Sequence, residues 1–353
     1  MAKKNKKKMT GIQKAIRVIS IILIVLIVMV GAVVAGGWTY FNNMLGEMKK
    51  ETIDQNSIGI DEQTEKDLSD YRNIALLGID SRADDYGLGN RSDCIIIASF
   101  NKKTNDVKLF SVYRDTYLQL EEKGQTKLDK ITHAYSYGGA QNTLLALNTN
   151  LDLNIKEYLT VNFDAVIAAV DAIGGVTINV TSDELKYLND YIDATAKSSG
   201  GSNKKVASAG KQTLNGVQAV AYSRIRYTAG GDYKRAERMR TVVEAMVYKA
   251  KTLGVTKLID VANKILPRVS TNIEKNEIIS LIPNLMKVNF ETSIGWPYQT
   301  KGITTDRWYG IPVTLESNVI KLHKELFENE DYVLPNEIKE ISDKIVAKTG
   351  YKN

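Results

Sequence analysis

The chain has 353 residues, 43% of them apolar, with five prolines and a formal net charge of +6, a composition that excludes a disordered protein and allows a full hydrophobic core. The charge is unevenly placed: Lys3, Lys4, Lys6, Lys7, Lys8, Lys14 and Arg17 precede every acid, so the remainder sums to about −1. That near-neutral remainder argues against a nucleic-acid binder, which needs a basic domain rather than one basic cluster.

Residues 1–17 form the basic tail. Residues 18–37, VISIILIVLIVMVGAVVAGG, carry no charge, and at 1.5 Å rise they span ~30 Å, the thickness of a hydrocarbon core. A transmembrane helix is expected there, its lysine-flanked end cytoplasmic and Trp38, Tyr40 and Phe41 at the far interface. The alternative is a cleaved signal peptide, but the run exceeds an ordinary h-region and Ala35-Gly36-Gly37 is a loose cleavage site. Residues 38–71 are polar and read as a stalk outside the membrane, leaving 72–353 as one globular domain. Cys94 is the only cysteine, so no intrachain disulfide can staple an exported domain, and its apolar setting marks it as a small core residue.

Asn73 to Leu77 is a short apolar run ending in Asp80 and Arg82. A glycine-bearing loop delivers Arg91 and Asp93, and a second apolar strand, CIIIASF, turns through NKKTND into a third, VKLFSVY, which ends in Arg114-Asp115. Strand ends are where a rigid sheet fixes chemistry-bearing residues. Lys130 to Leu147 reads as a loop at Gly138-Gly139 opening into a helix. A strand over Ile155 to Val161, a helix over Phe163 to Ile173 and a strand over Val176 to Val180 then follow. Alternating strands and helices predict an α/β fold with a mixed central sheet covered by helices on both faces (α/β/α), behind the N-terminal transmembrane helix. Ala194 to Ala209 is low in complexity and read as mobile.

Leu214 to Tyr222 reads as a helix feeding a dense cationic stretch, YSRIRYTAGGDYKRAERMR, with Arg224, Arg226, Lys234, Arg235, Arg238 and Arg240 against Asp232 and Glu237. Arg224 and Arg226 alternate, so an extended segment puts them on one face. Asp232 suits an N-cap, and the helix it opens places Arg235 and Arg238 a turn apart. Guanidiniums beside a helix N-terminus suit a phosphate, which their planar forks grip bidentately. The alternative is a solvated basic face. The last third reads as helices over Val255 to Leu266, Glu274 to Val288, Leu315 to Phe327 and Asn336 to Thr349, with strands or a loop over Trp296 to Pro312 and no evident chemistry beyond a possible groove for a long substrate.

No phosphate-binding P-loop, dinucleotide fingerprint or GxSxG occurs, and His133 and His323 are the only histidines, so zinc and Cys-His chemistry lack ligands. What remains is carboxylates with arginines. Asp80 and Asp93 offer hard oxygens of the kind that share Mg²⁺ with substrate phosphates, while arginines neutralise the rest of a phosphoryl transfer. The alternative is that both aspartates cap turns or pair with Arg82 and Arg91. A general base stays open among Asp93, Asp115 and Asp232.

GIDSR, RSDCIIIASF, SVYRDTYL, KITHAYSYGGAQ and AYSRIRYTAGGDYKRAER, in this order behind one membrane helix, resemble the LytR-CpsA-Psr family of cell-wall glycopolymer transferases over about Asn73 to Ala250. The resemblance implies a Mg²⁺-dependent phosphotransferase outside a Gram-positive membrane that moves a teichoic acid, capsule or other surface polysaccharide from undecaprenyl pyrophosphate to peptidoglycan. By motif position, Asp80 and Asp93 would hold the metal, and Arg91, Arg114, Arg224, Arg226 and Arg235, with Arg82 beside them, would hold the pyrophosphate. Asp232 would cap or handle a proton, Arg238 would add a phosphate contact, and Arg114 and Arg224 would join Asp232 in catalysis. Met239 stands where the family has Gln. Apolar sheet and helix faces would form a slot for the prenyl chain. The implied partners are the lipid-linked glycan, peptidoglycan and membrane, without nucleic acid. Two other readings are a binding or hydrolytic protein for prenyl pyrophosphate and a membrane-tethered transcriptional regulator, the latter disfavoured by the positive-inside rule.

Overall fold

The computed structural model describes residues 49–81, 85–285 and 287–352. The basic tail, the segment 18–37 read as a transmembrane helix, the first part of the expected stalk and Arg82 lie outside them; among the described residues no helix is long and apolar enough to cross a membrane. In chain order the elements begin with β1 (Lys49–Lys50), α1 (Glu62–Asp67), β2 (Tyr71–Ile79), β3 (Ser92–Asn101), β4 (Asp106–Val112), β5 (Tyr117–Glu122) and β6 (Gln125–Lys130). There follow α2 (Thr132–Leu151), β7 (Glu157–Val161), α3 (Phe163–Ala172), β8 (Val176–Val180), α4 (Ser182–Ser199), β9 (Gly210–Leu214), α5 (Gly216–Arg224) and α6 (Gly231–Lys251). The last are α7 (Val255–Ile265), β10 (Ser270–Thr271), α8 (Lys275–Leu285), β11 (Asn289–Trp296), β12 (Thr300–Thr304), β13 (Trp308–Pro312), α9 (Leu315–Phe327) and α10 (Asn336–Thr349).

Seven strands form a mixed sheet in the order β1-β10-β7-β2-β3-β4-β11, with β2 antiparallel to β3 and parallel to β7, and β4 antiparallel to β3 and parallel to β11. The pleat sends alternate residues to opposite faces. One face, bearing Ala75, Leu77, Ile79, Ile95, Ile97 and Phe110, is fully buried against α2, α9 and α10. The other packs on α6 and is incompletely covered: Ile96 and Leu109 are buried, but Leu76, Ala98 and Phe100 of the strands and Met239 and Val243 of α6 are half-buried. A second apolar cluster joins α3, β8, α4 and α5 around the inner side of α6.

Three readings of the sequence are corrected. Residues 49–71 are not all stalk, since Ile53, Ile58 and Leu68 belong to the main core. The tract at 194–209 is tied down: α4 runs to Ser199 behind a Thr181/Glu184 capping box, and the Val206 N–H donates to Asn189 at 3.0 Å. Gly138-Gly139 makes a kink inside α2 rather than a loop before it. The Asn142 amide reaches back across that kink to the Ala134 carbonyl at 3.1 Å, satisfying a group the broken helix frees.

Candidate active site

Strand register gathers the polar residues at one sheet edge. Ile79 lies opposite Ser92, so Asp80 leaves β2 where Arg91 and Asp93 enter β3; Ile96 lies opposite Ser111, so the end of β4 delivers Arg114 and Asp115 beside them. Asp80 and Arg91 are exposed, and Asp93 and Arg114 half-buried.

Arg114 is the hub. Its Nη1 donates to Asp93 Oδ1 at 2.9 Å, while Nε lies 3.4 Å from Asp115 and 3.7 Å from Asp232. Arg226 Nη2 stands 4.0 Å from the second oxygen of Asp93. Arg235, only 3% exposed, pairs with Asp232 at 2.9 Å and reaches the Asp93 carbonyl at 3.4 Å. Burial pushes the Arg235 pKa down, Asp232 restores part of it, and Arg114 and Arg226 push it down again. Burial also opposes the charge of Arg114, but Asp93, Asp232 and Asp115 outweigh it and its pKa is raised. The cluster is therefore short of negative charge on the Arg226–Arg235 side, where an anion would stabilise it.

Two of the predicted arginines stand apart. Arg224 is the last residue of α5 rather than part of an extended segment, because the Asn215/Gln218 capping box starts a helix that runs through it. Its Nη1 donates to Thr195 at 2.9 Å and the guanidinium lies over Phe163. Arg238 is 2% exposed and fully engaged, donating to Glu184 at 2.8 Å, to the Ile225 carbonyl at 2.9 Å and to Thr228. It pins the 225–230 turn to α4. Asp232 is not the N-cap: Gly230, at φ 90°, takes that place, and Asp232 sits in the first turn, where an acid still complements the helix dipole.

Several functional neighbours were missed in the sequence. Lys130 Nζ holds Asp115 at 2.8 Å, and Tyr113 packs edge-on against Tyr233. Glu184, the counter-charge of Arg238, was legible as the fourth residue of Thr-Ser-Asp-Glu, a capping-box pattern. The β12–β13 hairpin also reaches the site, the Gly310 N–H donating to the Asp115 carbonyl at 2.9 Å. A cavity of about 380 Å³ opens there, bounded by Arg114, Asp115, Asp232, Tyr233, Thr300 and Trp308 among others.

The model of the LytR_cpsA_psr family matches residues 37–308. The chain belongs to the LytR-CpsA-Psr family. It is 30% identical over 267 residues to the polyisoprenyl-teichoic acid–peptidoglycan teichoic acid transferase TagU of Bacillus cereus, covering 72% of this chain and 80% of that protein. To TagU of Enterococcus faecalis it is 36% identical over 182 residues, 51% of this chain and 54% of that one. Among solved structures, Bacillus subtilis TagV aligns with a TM-score of 0.58 at 25% identity, over 75% of this chain and 98% of that chain. TagT with bound octaprenyl pyrophosphate lipid aligns with a TM-score of 0.52 at 24% identity, over 80% and 92%, a likeness of fold.

In this LytR-CpsA-Psr protein, Met239 turns away from the polar cluster and packs with Cys94 and Val243 on the sheet. Burial there pushes the Cys94 thiol up to about 12. Asp80 and Asp93 at neighbouring strand ends fit Mg²⁺ in donor type, since that ion takes one or two carboxylates and completes its shell with water and phosphate oxygens. Among the described residues no cluster of three or more His, Cys, Asp or Glu forms a protein-only cage.

Proposed function

We propose that this protein transfers a glycopolymer from a polyprenyl-pyrophosphate carrier to peptidoglycan, as the names of its TagU relatives describe for teichoic acid. The observation that carries the reading is one juxtaposition: Arg114, Arg226 and Arg235 converge at the edge of the sheet whose α6-side face leaves apolar residues half-covered. A pyrophosphate on the arginines would lay its prenyl chain along that face.

Arg226 and Arg235 neutralise the pyrophosphate and hold it against Arg114, which is fixed in turn by Asp93. An acceptor hydroxyl oxygen forms the new bond to the sugar-linked phosphorus, the bond to the bridging oxygen breaks, and prenyl phosphate leaves. Asp115 or Asp232, the carboxylates lining the cavity, would take the hydroxyl proton. Mg²⁺ held by Asp80 and Asp93 would supply further charge neutralisation at the phosphoryl oxygens. The N-terminal segment 18–37 would tether the domain outside the membrane, its basic tail inside.

The test incubates the full-length protein in detergent with a defined lipid-linked glycan and peptidoglycan strands, with and without Mg²⁺. Covalent polymer on peptidoglycan is expected. Free polymer would mean hydrolysis, and an unchanged lipid-linked glycan would leave a binding protein. Activity that persists undiminished in EDTA would remove the metal.

A further inference from the structure

The guanidinium of Arg114 divides the site. Its Nη1 edge meets Asp93, which also faces Arg226, while its Nε edge turns toward Asp115 and Asp232 and the cavity beyond them. An in-line displacement needs the nucleophile opposite the leaving group. With the pyrophosphate on the arginine side, the nucleophile must enter from the carboxylate side.

That side carries an aromatic wall. Trp308 is 40% exposed, unusual for so large an apolar ring. Its indole lies flat across the β12–β13 hairpin, over a cross-strand pair of glycines: Gly302 is registered opposite Gly310. A Cβ on Gly302 would meet Trp308 Nε1 at 2.6 Å, and one on Gly310 would come within 3.3 Å of the same ring. Gly302 has to be small for the ring to lie down, while a side chain at Gly310 would make the ring give by a few tenths of an ångström. The hairpin is also anchored beside Asp115, the Gly310 N–H donating to the Asp115 backbone carbonyl, which brings the ring and the Asp115 side chain to one cavity. Tyr233 and Thr300 complete the wall. An exposed aromatic face beside carboxylates and an arginine is the chemistry that takes a sugar ring: C–H groups lie on the indole while hydroxyls meet the charged groups.

We infer that this cavity is the acceptor subsite, in which a pyranose of the peptidoglycan strand stacks on Trp308 and presents its hydroxyl toward Asp115 and Asp232. The inference rests on the transferase reading and assigns its acceptor a place. The same pyranose chemistry could come from the donor's first sugar. The donor is already positioned through its pyrophosphate and needs no proton acceptor, whereas the acceptor hydroxyl does.

The experiment uses the full-length protein and its Trp308→Ala and Trp308→Phe variants. In the first arm, tryptophan emission of the wild type is titrated with soluble glycan strands of peptidoglycan and no donor. A saturable change is expected, and it should vanish in Trp308→Phe, although Trp38 and Trp296 remain. In the second arm, transfer is measured with each substrate varied. Trp308→Ala should raise the KM for acceptor about tenfold, the order of one lost aromatic contact, leave the KM for donor within about twofold, and keep the melting temperature; Trp308→Phe should recover most of the loss. A rise in the donor KM alone would assign the cavity to the donor sugar and overturn the inference. So would absence of any glycan-dependent change in emission. Glycan binding without transfer would leave the subsite standing and remove the transferase reading instead.

Discussion

Two buried arginines a turn apart on α6 do opposite work, and charge alone does not distinguish them. Arg238 meets Glu184 and two further oxygen acceptors, so removing its side chain leaves a carboxylate only 4% exposed without its counter-charge, held by the Thr181 N–H and the Tyr222 hydroxyl alone. Arg238→Ala should therefore lower ligand-free stability by about 3–5 kcal/mol in a denaturant titration. Burial opposes the charge of Arg235, Asp232 offsets part of that, and the neighbouring Arg114 and Arg226 add to it, so Arg235→Ala should cost the ligand-free protein much less. A polyprenyl pyrophosphate at ~100 times its Kd should stabilise the wild type by ~2.7 kcal/mol, and Arg235→Ala should lose that shift. Equal destabilisation by both changes would contradict the division. Glu184 adds a pH signature. Burial works to raise its pKa, but the Thr181 backbone N–H and Arg238 prevail and hold it below the ordinary 4.5. A depressed carboxyl stabilises the fold above its unfolded pKa and ceases to do so as pH falls through the folded value. Stability should thus decline below about pH 4.5, and Glu184→Gln should flatten that decline. The sequence exposed the arginines as a group but not this division, because which guanidinium meets a carboxylate depends on α4, an element distant in sequence.

Among the elements, the strands were legible where apolar runs were long, and the site's edge was legible because acids and arginines end those runs. The hairpin β5–β6 was not read, since its sequence, YLQLEEKGQTKLDK, is largely polar and only the Lys123-Gly124 turn, at φ 53° and 76°, marks it. Nor was β12–β13 seen to carry chemistry; its contribution comes from docking beside Asp115, which no local pattern encodes. The kink of α2 has a sharper local origin. Gly139 sits at φ 65° and ψ −150°, a conformation open essentially to glycine alone. Gly139→Ala should accordingly destabilise the protein by about 1–3 kcal/mol in thermal or chemical unfolding. Gly124→Asn, at a left-handed turn position with no neighbour near its Cβ, should change stability by less than ~1 kcal/mol, since Asn tolerates that region. Equal effects at the two sites would mean that the kink is not strained by a side chain.

At the scale of the whole molecule, the central sheet has a finished face and an unfinished one. Leu77 on the finished face is completely buried among α2 and the C-terminal helices, so Leu77→Ala should cost about 2–5 kcal/mol, as cavity-forming core changes do. Ala98, on the α6 side, belongs to a half-buried cluster with Phe100, Leu76 and Val243, so on the half-covered-face reading a larger side chain there is tolerated. Ala98→Phe should shift ligand-free stability by no more than ~1 kcal/mol, where a finished core would resist overpacking by about 1–3 kcal/mol. Its effect should fall on the lipid. Each buried methylene contributes ~0.8 kcal/mol, so wild-type affinity should climb steeply with prenyl length until the face is covered. In Ala98→Phe that climb should stop early, while a short-chain analogue that reaches only the arginines binds as before. Isothermal titration across a series of chain lengths separates the two cases. If affinity is independent of chain length in the wild type, or if Ala98→Phe unfolds the protein as Leu77→Ala does, the half-covered face is ordinary core and the prenyl chain lies elsewhere.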